Sequence, residues 1–306
     1  MEKFDIYQLV TDRIIDQLEK GFIPWEKPWK VTGIGIRGAQ DLRKLAFNRT
    51  TKSAYSLLNQ MLLSKAGEYA SFKQWTELGG KIKKGAKAEI VVFWKWLHYE
   101  SKDKFDENGN PQIVKIPYLK YMQVFHISDV ENVEPLKLES PEEEAPAPVV
   151  VFEPEEEAEN IIRAYSDREN IKIYFGGDSA YYSPASDSIQ LPARFSFGKN
   201  GAEFYSTAFH EITHSTGAKH RLARDFTGCF GSASYSREEL VAEIGSCAML
   251  NTLGIETSKS FKNSVAYIQS WIKALKNDNK LIVTASAKAE KAIEFIYHGK
   301  EISEVA

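Results

Sequence analysis

Residues 209–220 have the sequence FHEITHSTGAKH, and this stretch decides how the second half of the chain is interpreted. His210 and His214 are four positions apart, and Glu211 directly follows the first of them. In a helix, positions i and i+4 lie on one face, so both imidazoles can reach a single metal ion. This H-E-x-x-H arrangement is typical of zinc hydrolases, in which the glutamate takes a proton from the water that attacks a carbonyl. The stretch predicts a helix that binds zinc through His210 and His214, with Glu211 as general base.

A catalytic zinc ion needs a third protein ligand, and three residues compete for this role. Glu239 and Glu243 lie one turn apart in the segment SREELVAEIGSCAML, where a second helix would carry a glutamate ligand. His220 completes the longer H-E-x-x-H-x-x-G-x-x-H pattern, but the nearest methionine lies in a helical pattern instead of the turn which that pattern requires. Ser236 could make Glu239 part of a capping box instead of a ligand. We expect Glu239 to be the third ligand, and His220 and Glu243 remain open alternatives.

An acidic segment divides the chain, although the formal net charge over all 306 residues is only −3. Residues 133–160 contain ten glutamates, one lysine and five prolines. Prolines and repelling glutamates disfavour regular structure, so we interpret 133–153 as an acidic, proline-rich linker. Pro154, followed by three glutamates, is typical of a helix start. The sequence thus predicts two domains, residues 1–132 and 154–306.

Both predicted domains mix helices with strands. Apolar residues at helical spacing, or in alternation with polar ones, distinguish the two kinds of element. The predicted helices are 5–21, 54–66, 71–78, 203–216, 236–253, 262–276 and 285–297, with one more starting at 154. The predicted strands are 88–97 and 112–127, with a hairpin or edge strand in YYSPASDSIQLP. The fold class is α+β, in which an α+β domain precedes a mainly helical, gluzincin-like domain with a small sheet.

The first predicted domain has the composition of a single-strand binder. Residues 1–132 contain 21 lysines and arginines against 16 acids, a net charge of +5, and five of the six tryptophans. Aromatic faces stack on unpaired bases and lysines pair with phosphates, so we expect this domain to bind single-stranded DNA. Phe93 and Trp94 lie in a strand and are expected in the core, which is also the alternative role for the other aromatics. The residues expected to contact DNA are Trp25, Trp29, Lys81, Lys83 and Lys84.

Composition also argues against a membrane or secreted protein. The longest apolar run, Ile90 to Trp94, is far too short to span a bilayer. The N-terminus MEKFDIYQLV has no basic region followed by an apolar one, so no secretory signal is expected. Two cysteines cannot form a disulfide framework. We expect a cytoplasmic protein without a membrane partner.

Several segments together resemble the ArdC-type antirestriction proteins of mobile elements, also described as polyvalent-protein metallopeptidases. IIDQLEKGFIPWEKPW and SFKQWTELGGKIKKGAKAEIVVFW are similar to the first blocks of that family, and FYSTAFHEITHSTGAKHRLARDF and YSREELVAEIGSCAML to later ones. The resemblance implies an N-terminal domain that binds single-stranded DNA and a zincin-like peptidase domain. It implies His210, His214 and Glu239 as ligands and Glu211 as base. Where the family usually has Y-x-G-I-N, this chain has AYSLLNQ, which argues against a direct DNA role for Asn59.

The resemblance further implies protection of incoming DNA against restriction in the host. The expected partners are single-stranded DNA and a host restriction enzyme or another DNA-bound protein. Two hypotheses remain open. In one, the chain is a zinc peptidase brought to its substrate by DNA. In the other, it is a non-catalytic single-strand-binding protector in which zinc is structural.

Overall fold

The computed structural model describes residues 4–26, 45–105, 110–137, 154–197, 201–224, 233–255 and 265–299. Its α-helices are α1 (Ile6–Glu19), α2 (Leu57–Leu62), α3 (Phe72–Glu77), α4 (Pro154–Glu169), α5 (Gly201–Ser215), α6 (Ala233–Leu253), α7 (Val265–Asn277) and α8 (Leu281–His298). Its strands are β1 (Ala46–Asn48), β2 (Gly67–Ala70), β3 (Lys81–Ile82), β4 (Glu89–Phe105), β5 (Pro111–His126), β6 (Val130–Glu131), β7 (Lys172–Phe175), β8 (Tyr181–Ser183) and β9 (Ser188–Leu191). The α+β fold class is confirmed.

The N-terminal half is built on a four-stranded sheet in the order β1-β2-β5-β4. β1 runs parallel to β2, whereas β5 is antiparallel to both of its neighbours. Helix α1 begins after Asp5, whose carboxylate accepts a hydrogen bond from the Tyr7 backbone N–H (2.8 Å), and it ends before Gly21, which has the positive φ of 78° that favours glycine. β3 and β6 form a separate antiparallel pair.

The C-terminal half is mainly helical, with a small sheet in the order β7-β9-β8. β7 is parallel and β8 antiparallel to β9, so YYSPASDSIQLP does form the predicted hairpin. Ile189 and Leu191 of β9 are buried. Helices α5 and α6 pack against each other, and α8 packs on α6, which places the H-E-x-x-H helix at the centre of this half.

One hydrophobic core runs through both halves. Ile14 of α1 and Leu57 of α2 belong to the same buried cluster as Phe209 of α5 and Ile293 of α8. Polar contacts cross between the halves as well, since the Thr11 hydroxyl donates to the Asn279 carbonyl (2.8 Å). The two segments expected to form separate domains are therefore packed together. Most of the expected linker, residues 138–153, lies outside the described residues.

Two elements differ most in length from their predictions. The helix expected at 54–66 is reduced to α2, because Leu63 has extended backbone angles (φ −85°, ψ 139°) that end the helix. The strand expected at 88–97 continues to Phe105, although the alternation of apolar and polar residues has ceased there. Hydrogen bonds to β5, and not the burial of one face, stabilise this outer part.

Within the ranges listed above, none of the helices has both the length and the apolar character that crossing a bilayer requires.

Candidate metal centre

Helix α5 presents two imidazoles side by side. His210 and His214 are one turn apart, and their Nε2 atoms are 3.1 Å from each other. The opposite face of the helix anchors it, because Phe204, Ala208 and Ile212 are buried in the core. The local expectation from i, i+4 spacing therefore holds in three dimensions: both rings point to the same place.

Helix α6 supplies the third group, Glu239. Its Oε2 lies 3.5 Å from His210 Nε2, and its Oε1 lies 3.4 Å from His214 Nε2. One donor atom from each of the three side chains falls within 4.8 Å of the others. Two imidazoles and one carboxylate in this arrangement leave room for a fourth, non-protein ligand, as in catalytic zinc sites.

A second carboxylate orients one of the histidines. His214 Nδ1 donates to Glu238 Oε1 at 3.2 Å, which leaves Nε2 free to face the proposed ion. Glu238 is in turn held by Arg224, whose Nη2 donates to Oε1 (2.8 Å) and whose Nε donates to Oε2 (3.0 Å). Such a carboxylate–histidine contact sets the ring orientation and strengthens a metal ligand. The roles of Glu238 and Arg224 were not predicted from the sequence, although the Glu238–Glu239 pair could have indicated that two acids approach the site.

The electric field at this site favours a cation. Burial alone would lower the pKa of His214, but hydrogen bonds to Glu238 and Glu239 and the charge of Glu211 raise this pKa to about 9. Burial opposes ionisation of Glu239, yet hydrogen bonds from His210 and His214 hold its pKa well below the ordinary value. A proton on the imidazoles here takes the place of positive charge that a metal would supply. The chemistry of the donor set therefore fits a divalent cation.

Glu211 follows His210 on α5 and is buried, and its charge acts on His214. Its carboxylate makes no hydrogen bond or ion pair with the described residues. A buried carboxylate without such a partner is available to a water or substrate group in the site. Its role as general base stays a prediction.

Neither competing third ligand belongs to the group of three converging donor atoms in the described residues. His220 is 60% exposed at its side chain, and its Nε2 lies 3.3 Å from Asp187 Oδ2. Glu243 lies one turn beyond Glu239, and its carboxylate is not among the three groups whose donor atoms converge in the described part of the chain. Ser236 is not an N-cap, because α6 begins three residues earlier at Ala233, so the capping-box alternative for Glu239 is wrong.

Comparison with known proteins identifies both halves of the chain. Residues 4–125 match the family model described as the N-terminal domain of anti-restriction factor ArdC, and residues 156–288 match that of a zincin-like metallopeptidase. The crystal structure of the antirestriction ArdC protein from plasmid R388, in its metal-free form, is 32% identical, with a TM-score of 0.68 over 97% of this chain and 98% of that one. The chain belongs to the ArdC antirestriction family. The Mn(II)-bound structure of R388 ArdC has the same identity and TM-score, over 98% of this chain and 100% of that one.

Relatives of this ArdC family member have different lengths. The uncharacterized protein y4eC of Sinorhizobium fredii (strain NBRC 101917 / NGR234) is 31% identical over 96% of this chain and 92% of its own length. Two DNA primase TraC proteins of Escherichia coli are 31% and 32% identical over 99% of this chain. The chain spans only 20% and 28% of these two proteins.

The structure reverses the expected exposure of the tryptophans. Trp25 of this ArdC protein is 3% exposed, and its ring lies edge-on against Trp271 with centroids 6.3 Å apart, so the expectation of an exposed Trp25 is wrong. Conversely, Trp94 and Phe93, expected in the core, are exposed by 43% and 40%. Residues Pro24–Glu26 pack against α6 of the C-terminal half, and β4 extends beyond the sheet. Trp29 lies outside the described residues.

The three lysines expected to contact DNA are on the surface. Lys81, Lys83 and Lys84 are exposed around β3, and Lys83 Nζ donates to the Ser128 carbonyl at 2.9 Å. Their contact with DNA remains a prediction. Asn59 is buried and hydrogen-bonded through its amide to both backbone groups of Val92, so its side chain stabilises the start of β4.

Proposed function

We propose that this ArdC protein is a zinc-dependent peptidase that acts in antirestriction on proteins associated with single-stranded DNA. The observation that carries the proposal is the convergence of His210, His214 and Glu239 beside the buried Glu211. The family to which the chain belongs supports antirestriction, and the match of residues 156–288 to a zincin-like metallopeptidase model supports peptide hydrolysis.

In the proposed reaction, His210, His214 and Glu239 would hold the ion, which when bound would supply Lewis acidity to the peptide carbonyl and to the attacking water. Glu211 accepts the proton of that water and passes it to the leaving nitrogen. Glu238 keeps the His214 ring in one tautomer and orientation through the 3.2 Å contact to Nδ1. All five of these side chains belong to α5 or α6.

Zinc is the ion that we propose, although R388 ArdC has a Mn(II)-bound structure. Two imidazoles and one carboxylate form a ligand set used by catalytic zinc, and such sites bind Zn²⁺ more tightly than Mn²⁺. We expect zinc to displace manganese from the purified protein.

The alternative proposal is a non-catalytic protector that binds single-stranded DNA and uses zinc only for structure. R388 ArdC has a metal-free structure, so the fold of that relative forms without metal, and this weighs against a purely structural zinc ion. This chain has the same TM-score of 0.68 to the metal-free and to the Mn(II)-bound structure. The large hydrophobic core around α5 and α6 supports the same expectation for this chain.

Glu211→Gln tests the proposed chemistry. The amide keeps the size of the side chain but cannot accept the proton, so metal content should stay at the wild-type level and hydrolysis should fall by a factor of at least about 100. Metal is measured by elemental analysis, and hydrolysis with labelled casein in the presence and absence of single-stranded DNA.

A matched control is Glu203→Gln, on the same helix near its first turn. This variant should retain both metal and hydrolysis. Protection of unmodified plasmid DNA entering a restricting host is measured in parallel. If Glu211→Gln protects the DNA as well as wild type does, the peptidase proposal is wrong and the non-catalytic alternative stands.

A further inference from the structure

Beyond the four-stranded sheet, β4 and β5 continue as a two-stranded ribbon. β2 pairs with β5 only at Phe125 and His126, so farther out neither strand has another neighbour in the described sheet. The ribbon exposes an unusual number of large apolar side chains. They are Phe93, Trp94, Trp96, Leu97, Tyr99, Ile113, Ile116, Tyr121 and Met122.

The pairing register separates these side chains into two faces. Trp94 lies opposite Leu119, Trp96 opposite Pro117 and His98 opposite Lys115. Directly paired residues in an antiparallel ladder point to the same side, so these six residues form one surface, which we call the tryptophan face. The opposite face contains Phe93, Lys95, Leu97, Tyr99, Tyr118 and Lys120.

Trp94 and Trp96 are neighbours on one face, and both rings are accessible to solvent. Trp94 is 43% exposed and Trp96 is 54% exposed, although each has a directly paired residue beside it on β5. Residues i and i+2 of a strand are separated by roughly 6–7 Å, so the rings form a short row along one face. Exposed apolar rows of this kind indicate a binding surface.

The positive charge of the ribbon indicates which kind of partner would bind it. Segments 93–99 and 114–120 together contain three lysines and a histidine and no acidic residue. Lys115 lies on the tryptophan face itself, whereas Lys120 on the opposite face is placed over the ring of Tyr118 at 5.5 Å. The six residues of the tryptophan face include the two tryptophans, Lys115 and His98, and none of the six is acidic. Rings with a lysine beside them fit the bases and phosphates of a single strand, whereas a protein partner would need no such excess of positive charge.

We propose that the tryptophan face is the platform on which single-stranded DNA stacks its bases, with Trp94 and Trp96 as the stacking rings and Lys115 facing the phosphates. This inference rests on the proposed binding of single-stranded DNA and assigns it to a surface. It replaces the buried Trp25 as the aromatic contact. Stacking does not depend on base identity, so binding is expected to show little sequence preference.

The test measures binding of a fluorescein-labelled oligothymidylate to the full chain by anisotropy. Trp94→Ala and Trp96→Ala should each raise Kd at least about fivefold, and the double variant should raise it further. The slope of log Kd against log salt should stay the same, because neither substitution removes a phosphate contact. Lys115→Ala should reduce that slope by about one unit.

The matched control is the double variant Phe93→Ala/Tyr99→Ala, which removes two exposed rings from the opposite face of the same strand. It should leave Kd near the wild-type value. Circular dichroism and metal content of each variant verify that the fold is intact, and sedimentation velocity records its oligomeric state.

Each outcome has a defined meaning. If wild type binds no oligothymidylate, the DNA-binding part of the proposed function fails together with this inference. If wild type binds and the Trp94/Trp96 double variant binds equally well, only this inference fails. A double variant that binds DNA normally but sediments as a smaller species would identify the face as a contact between copies of the chain, which also overturns the inference.

Discussion

His214 is the residue on which most contacts of the metal centre converge. Its Nε2 faces Glu239 and its Nδ1 donates to Glu238, which Arg224 holds in place. Glu238→Gln keeps the length of the side chain but removes the charge that stabilises this ring orientation. We expect affinity for zinc to fall about 10- to 100-fold, measured by competition with a chromogenic chelator.

Glu243→Gln is the matched control for this prediction, because Glu243 lies on the same helix and burial raises the pKa of its carboxyl. Its substitution should leave zinc affinity near the wild-type value. If Glu243→Gln loses zinc and Glu238→Gln does not, then Glu243 is the third zinc ligand in place of Glu239, and Glu238 does not support the site.

At the scale of elements, the metal centre depends on how closely α5 and α6 approach each other. Gly245 of α6 lies tightly against Thr213 of α5, because a Cβ atom added there would lie 2.7 Å from Thr213 Cγ2 and 2.8 Å from its Oγ1. Gly245→Ala should therefore push the helices apart, reduce the free energy of unfolding by about 1–3 kcal/mol and weaken zinc binding. Urea denaturation and chelator competition measure the two effects.

The double variant Gly245→Ala/Thr213→Ala provides the control, since it removes the two nearest atoms that the new methyl group would meet. It should bind zinc more tightly than Gly245→Ala alone. If adding Thr213→Ala does not restore zinc affinity, then Gly245 does not act by allowing the two helices to approach closely.

At the scale of the whole molecule, the two halves are stabilised by one core, and Trp25 lies where they meet. Trp25→Ala removes a buried ring that packs against Trp271 of α7, so it should reduce the free energy of unfolding by about 3–5 kcal/mol. Hydrogen exchange should become faster in α7 and α8 as well as in α1, because these helices share the core. Trp94→Ala, which truncates an exposed ring, should change stability by less than about 1 kcal/mol. Unchanged exchange in α7 and α8 would mean that the halves are stabilised independently.

Much of the secondary structure and part of the metal centre could be predicted from local pattern. The spacing of His210 and His214 is a property of one helix, so it determined that both imidazoles face one point. The acidic start of α4 at Pro154 and the glycine that follows α1 are equally local. The length of β4 was underestimated because its outer part is maintained by hydrogen bonds to β5 and has no buried face that a pattern could reveal.

Spacing within single elements was enough to predict the two histidines, the base candidate next to them and the α+β class. Packing between elements established that Glu239 and not His220 approaches the histidines, that Glu238 and Arg224 orient His214, and which tryptophans are exposed. The physical reason is that these properties depend on contacts between residues far apart in the chain. Trp25 is buried in the shared core and contacts Trp271, whereas Trp94 is exposed on the part of β4 that pairs only with β5. Neither property can be predicted from the neighbouring residues in the sequence.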